Sequence, residues 1–328
     1  MDRRRLVQLI SALPLVLPLT AFAQNAPKTY RLGVLGPGAA ADEKSPFGKA
    51  LTAGLAKRGY VLGKNLAYES RGAEGHVDRL PRLLDELVAS KIDVLVTQGY
   101  PPAAAVKKSG ASVPTVSLNS GDPVGTGLVN SLAHPGGTLT GISDVSAELA
   151  PKRLELLKEV APKLHRVAIL WNADDLGMTL RYRASEAGAK ALGIAIEPLG
   201  VREPDDFAAA FAAMTRDLPD GIMMVTDSLT ILNRKRVFDF AATHRLPAIY
   251  EFGFLVRDGG LMSYGPDNSE SLGRVAALVA RILGGARPGD LPFEQPTKFA
   301  LFINVKTAKT LGLTVPPLVL AQADEVIE

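Results

Sequence analysis

Residues 119–143 read NSGDPVGTGLVNSLAHPGGTLTGIS, a long stretch rich in Gly, Pro, Ser and Asn with no sustained strand or helix period. Structureless segments of that length are uncommon inside a compact domain. On its N-terminal side, short Val-, Ile- and Leu-rich runs alternate with helical patterns. The strand Arg31 to Leu35 is followed by a helix that Ser45-Pro46 opens as N-cap and first-turn proline. Phe47, Leu51 and Leu55 share one face of that helix, and Gly59 ends it. A strand at Asn65 to Ser70 leads to a helix carrying Leu80, Leu83, Leu84, Leu87 and Val88. Ile92 to Val96 is the next strand, Pro101-Pro102 open another helix, and Pro114 to Leu118 is a further strand.

On the C-terminal side the same alternation starts afresh. A helix from about Ser146 to Val160 precedes the strand Val167 to Leu170. A helix around Leu180 to Leu192 precedes Ala195 to Leu199, and Phe207, Phe211 and Met214 mark the next helix before Ile222 to Val225. A helix from Ile231 to His244 then leads to Ala248 to Tyr250. Such alternation is the sign of βαβ units and a parallel sheet. Two runs of it predict two similar doubly wound α/β lobes. Alternation alone also fits a single (β/α)₈ barrel, but barrels rarely carry a stretch like residues 119–145. That stretch is read as the first crossing between lobes, with further crossings near Gly259-Gly260 and Pro292 to Pro296. The expected division is 29–143 with 262–290 for the first lobe, and 144–261 with 291–328 for the second.

The N-terminus carries Arg3, Arg4 and Arg5, an apolar run from Leu6 to Leu19, and Ala21-Phe22-Ala23 before Gln24. This is the order of a secretory signal, expected to be cleaved after Ala23. Its apolar run is shorter than the roughly 20 residues that span a bilayer. The mature chain is therefore expected to be free in the periplasm. The sequence has no cysteine, so neither a lipid anchor on cysteine nor a disulfide is available. Loss of three arginines and Asp2 with the signal lowers the net charge from +3 to +1. Nothing in so small a charge asks for a nucleic-acid partner.

The sequence contains no G-x-S-x-G elbow, Walker loop, G-x-G-x-x-G or H-E-x-x-H, and its four histidines have no ligand spacing. No catalytic residue, metal or cofactor is expected. Ligands of open parallel sheets bind beyond the carboxyl ends of the strands. The polar and aromatic residues there are Gly36 and Ser45; Thr97, Gln98 and Tyr100; Asn119, Ser120 and Asp122; Asn172; Asp227; Tyr250 and Glu251; and Tyr264. Helix N-termini suit a carboxylate, aromatic rings an apolar group, and Asp or Glu an ammonium. Each has a plainer reading. Ser45 fits a helix cap and Asp122, before Pro123, an Asx-turn, while Trp171 fits the lobe core as well as a stacking platform.

Gly121-Asp122-Pro123-Val124, continuing through Gly127-Leu128-Val129, Ser131-Leu132-Ala133, Pro135-Gly136-Gly137 and Thr140-Gly141, resembles the ABC-type substrate-binding family that includes tryptophan-binding proteins. So do Asn233-Arg234-Lys235-Arg236, Gly259-Gly260-Leu261-Met262-Ser263-Tyr264-Gly265-Pro266, Glu294-Gln295-Pro296-Thr297-Lys298-Phe299 and Lys306-Thr307-Ala308-Lys309. The resemblance spans nearly the whole mature chain. It implies a type I periplasmic binding protein fold, two lobes on a three-segment hinge, and delivery of ligand to a membrane permease and ATPase. It places the ligand loops around Gly36, Gln98, Asn119-Ser120, Ser143, Asn172, Asp227 and Tyr250. Thr138 stands where the family more often has Asn, and Gln98-Gly99-Tyr100 is bulkier than the small residues usual there. The family's preference for aromatic amino acids is therefore not carried over.

The expectation is a monomeric, hinge-closing receptor for an amino acid or an apolar or aromatic carboxylate. A periplasmic sensor subunit for a signalling receptor uses the same fold, and an exported hydrolase would need a nucleophile and base in the cleft. A DNA-binding regulator is disfavoured, because no helix-turn-helix precedes Tyr30.

Overall fold

The computed structural model describes residues 28–328, so the expected export segment 1–23 lies outside the described residues. The first half comprises β1 (Tyr30–Gly36), α1 (Pro46–Ala56), β2 (Leu66–Gly72), α2 (Leu80–Ala89), β3 (Val94–Gln98), α3 (Tyr100–Ser109), β4 (Thr115–Leu118) and β5 (Leu139–Ile142). Its five strands form one parallel sheet in the order β2-β1-β3-β4-β5.

The chain then runs through α4 (Ala150–Val160), β6 (Arg166–Asn172), α5 (Leu176–Ala191), β7 (Ala195–Val201), α6 (Asp206–Arg216) and β8 (Gly221–Met224). There follow α7 (Ser228–Leu232), α8 (Arg234–His244), β9 (Ala248–Tyr250), α9 (Gly253–Arg257) and β10 (Met262–Pro266). Beyond these come α10 (Asn268–Leu283), β11 (Phe299–Asn304), α11 (Val305–Leu311), α12 (Pro317–Gln322) and β12 (Glu325–Ile327). The second sheet is ordered β12-β11-β10-β9-β8-β6-β7, with only β11 antiparallel to its neighbour β10. Its parallel part, β7-β6-β8-β9-β10, repeats the order of the first sheet strand for strand. The restarted alternation in the sequence is this repeat.

Both faces of each sheet are covered, which is why the central strands read as unbroken apolar runs. In the first lobe Leu32, Val34, Val94 and Val96 pack against Leu51 and Leu55 of α1 and Val275, Val279 and Ile282 of α10. Leu35 and Leu95 face Leu80, Leu84 and Leu87 of α2 on the other side. In the second lobe Val167, Ile169 and Met223 meet Leu154 and Leu157 of α4, while Ala168, Leu170 and Ile222 meet Phe207, Met214 and Val237. Ser45 caps α1 as the sequence predicts, its hydroxyl accepting from the Gly48 N–H at 3.0 Å.

Several boundaries differ from those expected. The stretch 119–145 contains a strand, β5, whose four residues are all buried, so the chain leaves the first sheet only after Ile142. The second crossing lies at Asp267 and not near Gly259-Gly260. Residues 262–266 form β10 of the second sheet, and Asp267 caps α10, the helix that returns to the first lobe. Gly259-Gly260 is instead a turn within the second lobe, where Gly260 lies against the Tyr250 ring. Leu291 and Phe293 still pack in the first lobe and Glu294 bridges to Ile142, so the third crossing follows Glu294. The single helix expected over 231–244 is two, α7 and α8, separated at Asn233, whose Nδ2 donates to the Leu229 carbonyl at 2.9 Å.

The second and third crossings are tied together where α10 begins. Arg274 donates from Nε to Glu294 at 2.7 Å and from Nη1 to the Gln295 carbonyl at 2.7 Å. Glu270 accepts from the Thr297 hydroxyl at 2.6 Å and the Lys298 N–H at 3.1 Å.

Candidate ligand-binding cleft

In a sheet of this strand order, the switch in winding direction falls beside the first strand, and the crevice there is the natural ligand site. The two switch points, β1/β3 and β6/β8, face one another across the cleft. Loops of the two lobes touch at its edges. A Cβ added to Gly177, at the start of α5, would lie 3.3 Å from Cβ of Tyr100 at the start of α3. One added to Gly75 of the first lobe would lie 3.1 Å from Leu232 of the second, and one on Gly38 would lie 3.8 Å from the Ser228 hydroxyl.

The first-lobe wall is neutral and polar. Gly36 ends β1, and its missing side chain leaves room for Gln98, whose Oε1 would be 3.4 Å from a Cβ there. Thr97 and Gln98 end β3; Asn119 and Ser120 follow β4, with Asn119 at φ 57° and Gly121 at φ 73° turning the loop into the cleft. α3 begins Tyr100-Pro101-Pro102, and the prolines lack N–H groups, so this helix start presents fewer backbone donors than most. Recognition on this side therefore falls to side chains. Thr97 Oγ1, Gln98 Nε2, Asn119 Oδ1 and Ser120 Oγ are all buried without a hydrogen-bond partner in the protein.

The second-lobe wall is charged. Asn172 ends β6 and donates from Nδ2 to Asp227 Oδ2 at 2.6 Å. Asp227 caps α7, its Oδ1 accepting from the Thr230 N–H at 2.9 Å. Asp175 caps α5, its Oδ1 accepting from the Met178 N–H at 3.2 Å, while Oδ2 is buried and unpartnered. Burial, with the nearby Asp227 carboxylate adding to it, pushes the Asp175 carboxyl up to about 6. Burial, and then the Asp175 charge, also raise the Tyr100 phenol, which places that first-lobe ring close to the second-lobe acid. Thr226 Oγ1 and Arg181 Nε are further buried atoms without partners.

Below this wall lies a buried ion cluster. Arg181 on α5 donates from Nη1 to Glu251 Oε2 at 2.7 Å and from Nη2 to Asp144. Arg153 on α4 donates to Glu251 Oε1 at 3.3 Å, to the Ser146 carbonyl at 2.8 Å and to the Tyr264 carbonyl at 2.7 Å. The four side chains are between 0% and 3% exposed. Burial lowers the Arg181 pKa, but Asp144 and Glu251 outweigh it and the guanidinium is held firmly charged. Asp144 belongs to the first crossing, so the cluster fastens that segment to the second lobe. Gly121 of the first lobe lies over the same guanidinium, with Nη2 3.7 Å from where its Cβ would be.

Nearly all buried polar groups in folded proteins are hydrogen-bonded. Among the described residues, six of the twelve buried side-chain atoms without a partner are these atoms beyond the strand ends, of Thr97, Gln98, Asn119, Ser120, Asp175 and Thr226, and Arg181 Nε in the cluster beneath is a seventh. Their concentration at the facing switch points marks a surface built to meet a polar molecule. No group of His, Asp or Glu among the described residues is arranged to hold a metal ion.

Of the residues singled out from the sequence, Gly36, Thr97, Gln98, Tyr100, Asn119, Ser120, Asn172 and Asp227 come together at the cleft. Ser143 is buried at the first crossing, its N–H donating to the Glu294 carbonyl at 2.9 Å. Others are placed elsewhere. Ser45 is a helix cap, its hydroxyl donating to the Asp42 carbonyl at 2.7 Å. Asp122 closes an exposed Asx-turn through the Val124 and Gly125 N–H groups. The Tyr250 ring is 1% exposed and packs edge-on against Phe238. Successive strand residues face opposite ways, and on β9 it is Tyr250 that points into the core under α6 and α8. Glu251 holds no free oxygen, since Arg153, Arg181 and the Thr226 N–H take both. Tyr264 packs on the second-lobe core beside Phe299, and Trp171 stacks on Tyr182 in the same core. Sequence reasoning missed Asp144, Arg153, Asp175, Arg181 and Thr226. Asp175, just before a helical pattern, carries a readable cap signal; the arginines look like ordinary solvated helix charges.

The chain matches the model of the family described as ABC transporter substrate binding protein over residues 42–327. It is 24% identical over 265 residues to a tyrosine-binding protein of Clostridioides difficile, covering 81% of this chain and 76% of that protein. Among solved structures, a conserved domain protein of Vibrio cholerae superposes with a TM-score of 0.85 at 27% identity, covering 91% of this chain and all of that one. A domain from Streptococcus pneumoniae in complex with L-Trp superposes with a TM-score of 0.84 at 25% identity, covering 92% of this chain and all of the other. The two lobes are those of a type I periplasmic binding protein, and the family is one of non-catalytic solute-binding proteins. This chain belongs to the ABC transporter substrate-binding protein family.

Proposed function

We propose that this chain is the extracytoplasmic receptor of an ABC importer, closing as a monomer by hinge motion around a small organic solute, an amino acid or an apolar or aromatic carboxylate. A membrane permease and its ATPase then accept the ligand and supply the energy. The observation that carries this reading is the set of buried, unpartnered polar atoms contributed by both lobes at the facing switch points. A ligand that satisfies both sets at once binds the closed form better than the open one, which is what drives closure. Similarity to proteins that bind tyrosine and L-Trp supports the ligand class, and the order of charges and apolar residues at 1–23 supports export.

Thermal unfolding of the mature protein, residues 24–328, against a panel of L-amino acids and aromatic carboxylic acids tests the reading. Ligand at about 100 times its Kd adds roughly 2.7 kcal/mol of stability, which moves the unfolding midpoint upward by a few degrees. A panel in which nothing shifts the midpoint removes this ligand class.

A further inference from the structure

We propose that Asp175 is the specificity-determining residue of the cleft: its free Oδ2 accepts the ammonium of an amino acid and so separates amino acids from the corresponding carboxylic acids. The inference rests on the proposed ligand class and narrows it. Around the ends of β6, β8 and β9 and the first crossing that packs on them, the buried or half-buried acids are Asp144, Asp175, Asp227 and Glu251, and the buried cations are Arg153 and Arg181. Four carboxylates against two guanidinium groups leave two negative charges without a partner inside the protein. The exposed pair Asp174 and Arg202, 3.1 Å apart on the rim, balances itself. Buried charge is costly unless paired, so this wall favours a cation.

Among the four acids, only Asp175 has an uncommitted oxygen. Asp144 and Glu251 are held by the arginines. Asp227 spends Oδ1 on Thr230 and Oδ2 on Asn172. Asp175 spends Oδ1 on the α5 cap and leaves Oδ2 buried without a donor, in a residue 3% exposed. The opposing wall, Thr97, Gln98, Asn119 and Ser120, is neutral. Gln98 Nε2 and the hydroxyls of Thr97 and Ser120 can donate to a carboxylate without bringing a charge of their own. A zwitterion lying across the cleft, ammonium on Asp175 and carboxylate on the first lobe, answers both walls. A plain carboxylate leaves the second-lobe acids as they are.

The test is calorimetric titration of wild-type, Asp175→Asn and Asp227→Asn proteins with L-tryptophan, L-tyrosine and their des-amino analogues, indole-3-propionate and 3-(4-hydroxyphenyl)propionate. Asparagine keeps the Oδ1 that caps α5, and circular dichroism with a thermal midpoint checks that each variant is folded. Wild type is expected to bind an amino acid well above its des-amino analogue. Asp175→Asn is expected to lose roughly 30-fold for the amino acid, the scale of one charge-assisted hydrogen bond, while holding or improving affinity for the analogue. Asp227→Asn is expected to lose less. Wild-type binding of the analogue as tightly as the amino acid overturns the assignment. So does an Asp175→Asn protein within threefold of wild type, or a larger loss in Asp227→Asn. Wild-type protein that binds none of the four probes overturns an aromatic amino acid as the ligand and, with it, the assignment.

Discussion

Asp175, the acid proposed to meet the ligand's ammonium, is held where burial opposes its charge. Its carboxyl titrates near 6 in the folded chain because burial and Asp227 oppose its charge, against an ordinary value near 4 in the unfolded chain. With the folded value raised, its contribution to stability is full below the unfolded pKa and is lost as pH rises through about 6. Asp175→Asn removes that loss. The unliganded variant is expected to be more stable than wild type at pH 7.5 by roughly 1–3 kcal/mol, with the gap closing as pH falls to 4. Urea unfolding at three pH values measures it, and a variant no more stable than wild type at pH 7.5 counts against a strained carboxylate. Asp175 was also within reach of the sequence, since an aspartate directly before a helical pattern is a cap. What the sequence withholds is side-chain direction. The rule of strand ends picks out Tyr250 as readily as Asn172, but a shift of one residue along a strand turns a side chain from cleft to core.

At the scale of elements, the strands and most helices were legible because their apolar periods are imposed by two-faced burial. β5 was not, since four residues containing a Thr and a Gly leave too short a period to read. Nor was the ion cluster: Arg153 and Arg181 sit on α4 and α5 at spacings any solvated helix uses, and only the packing of those helices beneath the first crossing buries them. Breaking a buried ion pair from one side is far more damaging than its net worth, because it strands the partner charge. Arg181→Met is therefore expected to destabilise the protein by about 3–5 kcal/mol, since Asp144 loses its cation and Glu251 is left with Arg153 alone of its two. Adding Asp144→Asn should recover part of the loss, because one stranded charge is then gone. Denaturant midpoints of the single and double variants give the comparison. A double variant no more stable than the single one would show that Asp144 is not compensated by Arg181.

The whole molecule is two copies of one strand order set face to face, so its function depends on how closely the copies approach. Gly177 and Tyr100 set that approach on one edge of the cleft. The glycine allows Tyr100 Cβ to come within 3.3 Å of where a side chain would begin, and it sits two residues after Asp175. Gly177→Val fills that gap without touching either sheet, so each lobe should keep its own fold; its Cβ would also lie 3.1 Å from Asp175 Oδ1, so molecular dimensions and not affinity alone report on closure. The arrangement in which the lobes meet is then penalised, and apparent affinity falls in proportion to the fraction of molecules able to reach it. A penalty of about 1.4 kcal/mol corresponds to tenfold weaker binding, and overpacking by one branched side chain commonly costs that much or more. Titration of the variant with whichever L-amino acid stabilises wild type should show at least that loss. Small-angle scattering of the ligand-saturated variant should show a larger radius of gyration than ligand-saturated wild type. Unchanged affinity with unchanged dimensions would mean that the lobes need not meet at Tyr100 for ligand to be held. The closure contact would then have to lie at the opposite edge, where Gly75 faces Leu232.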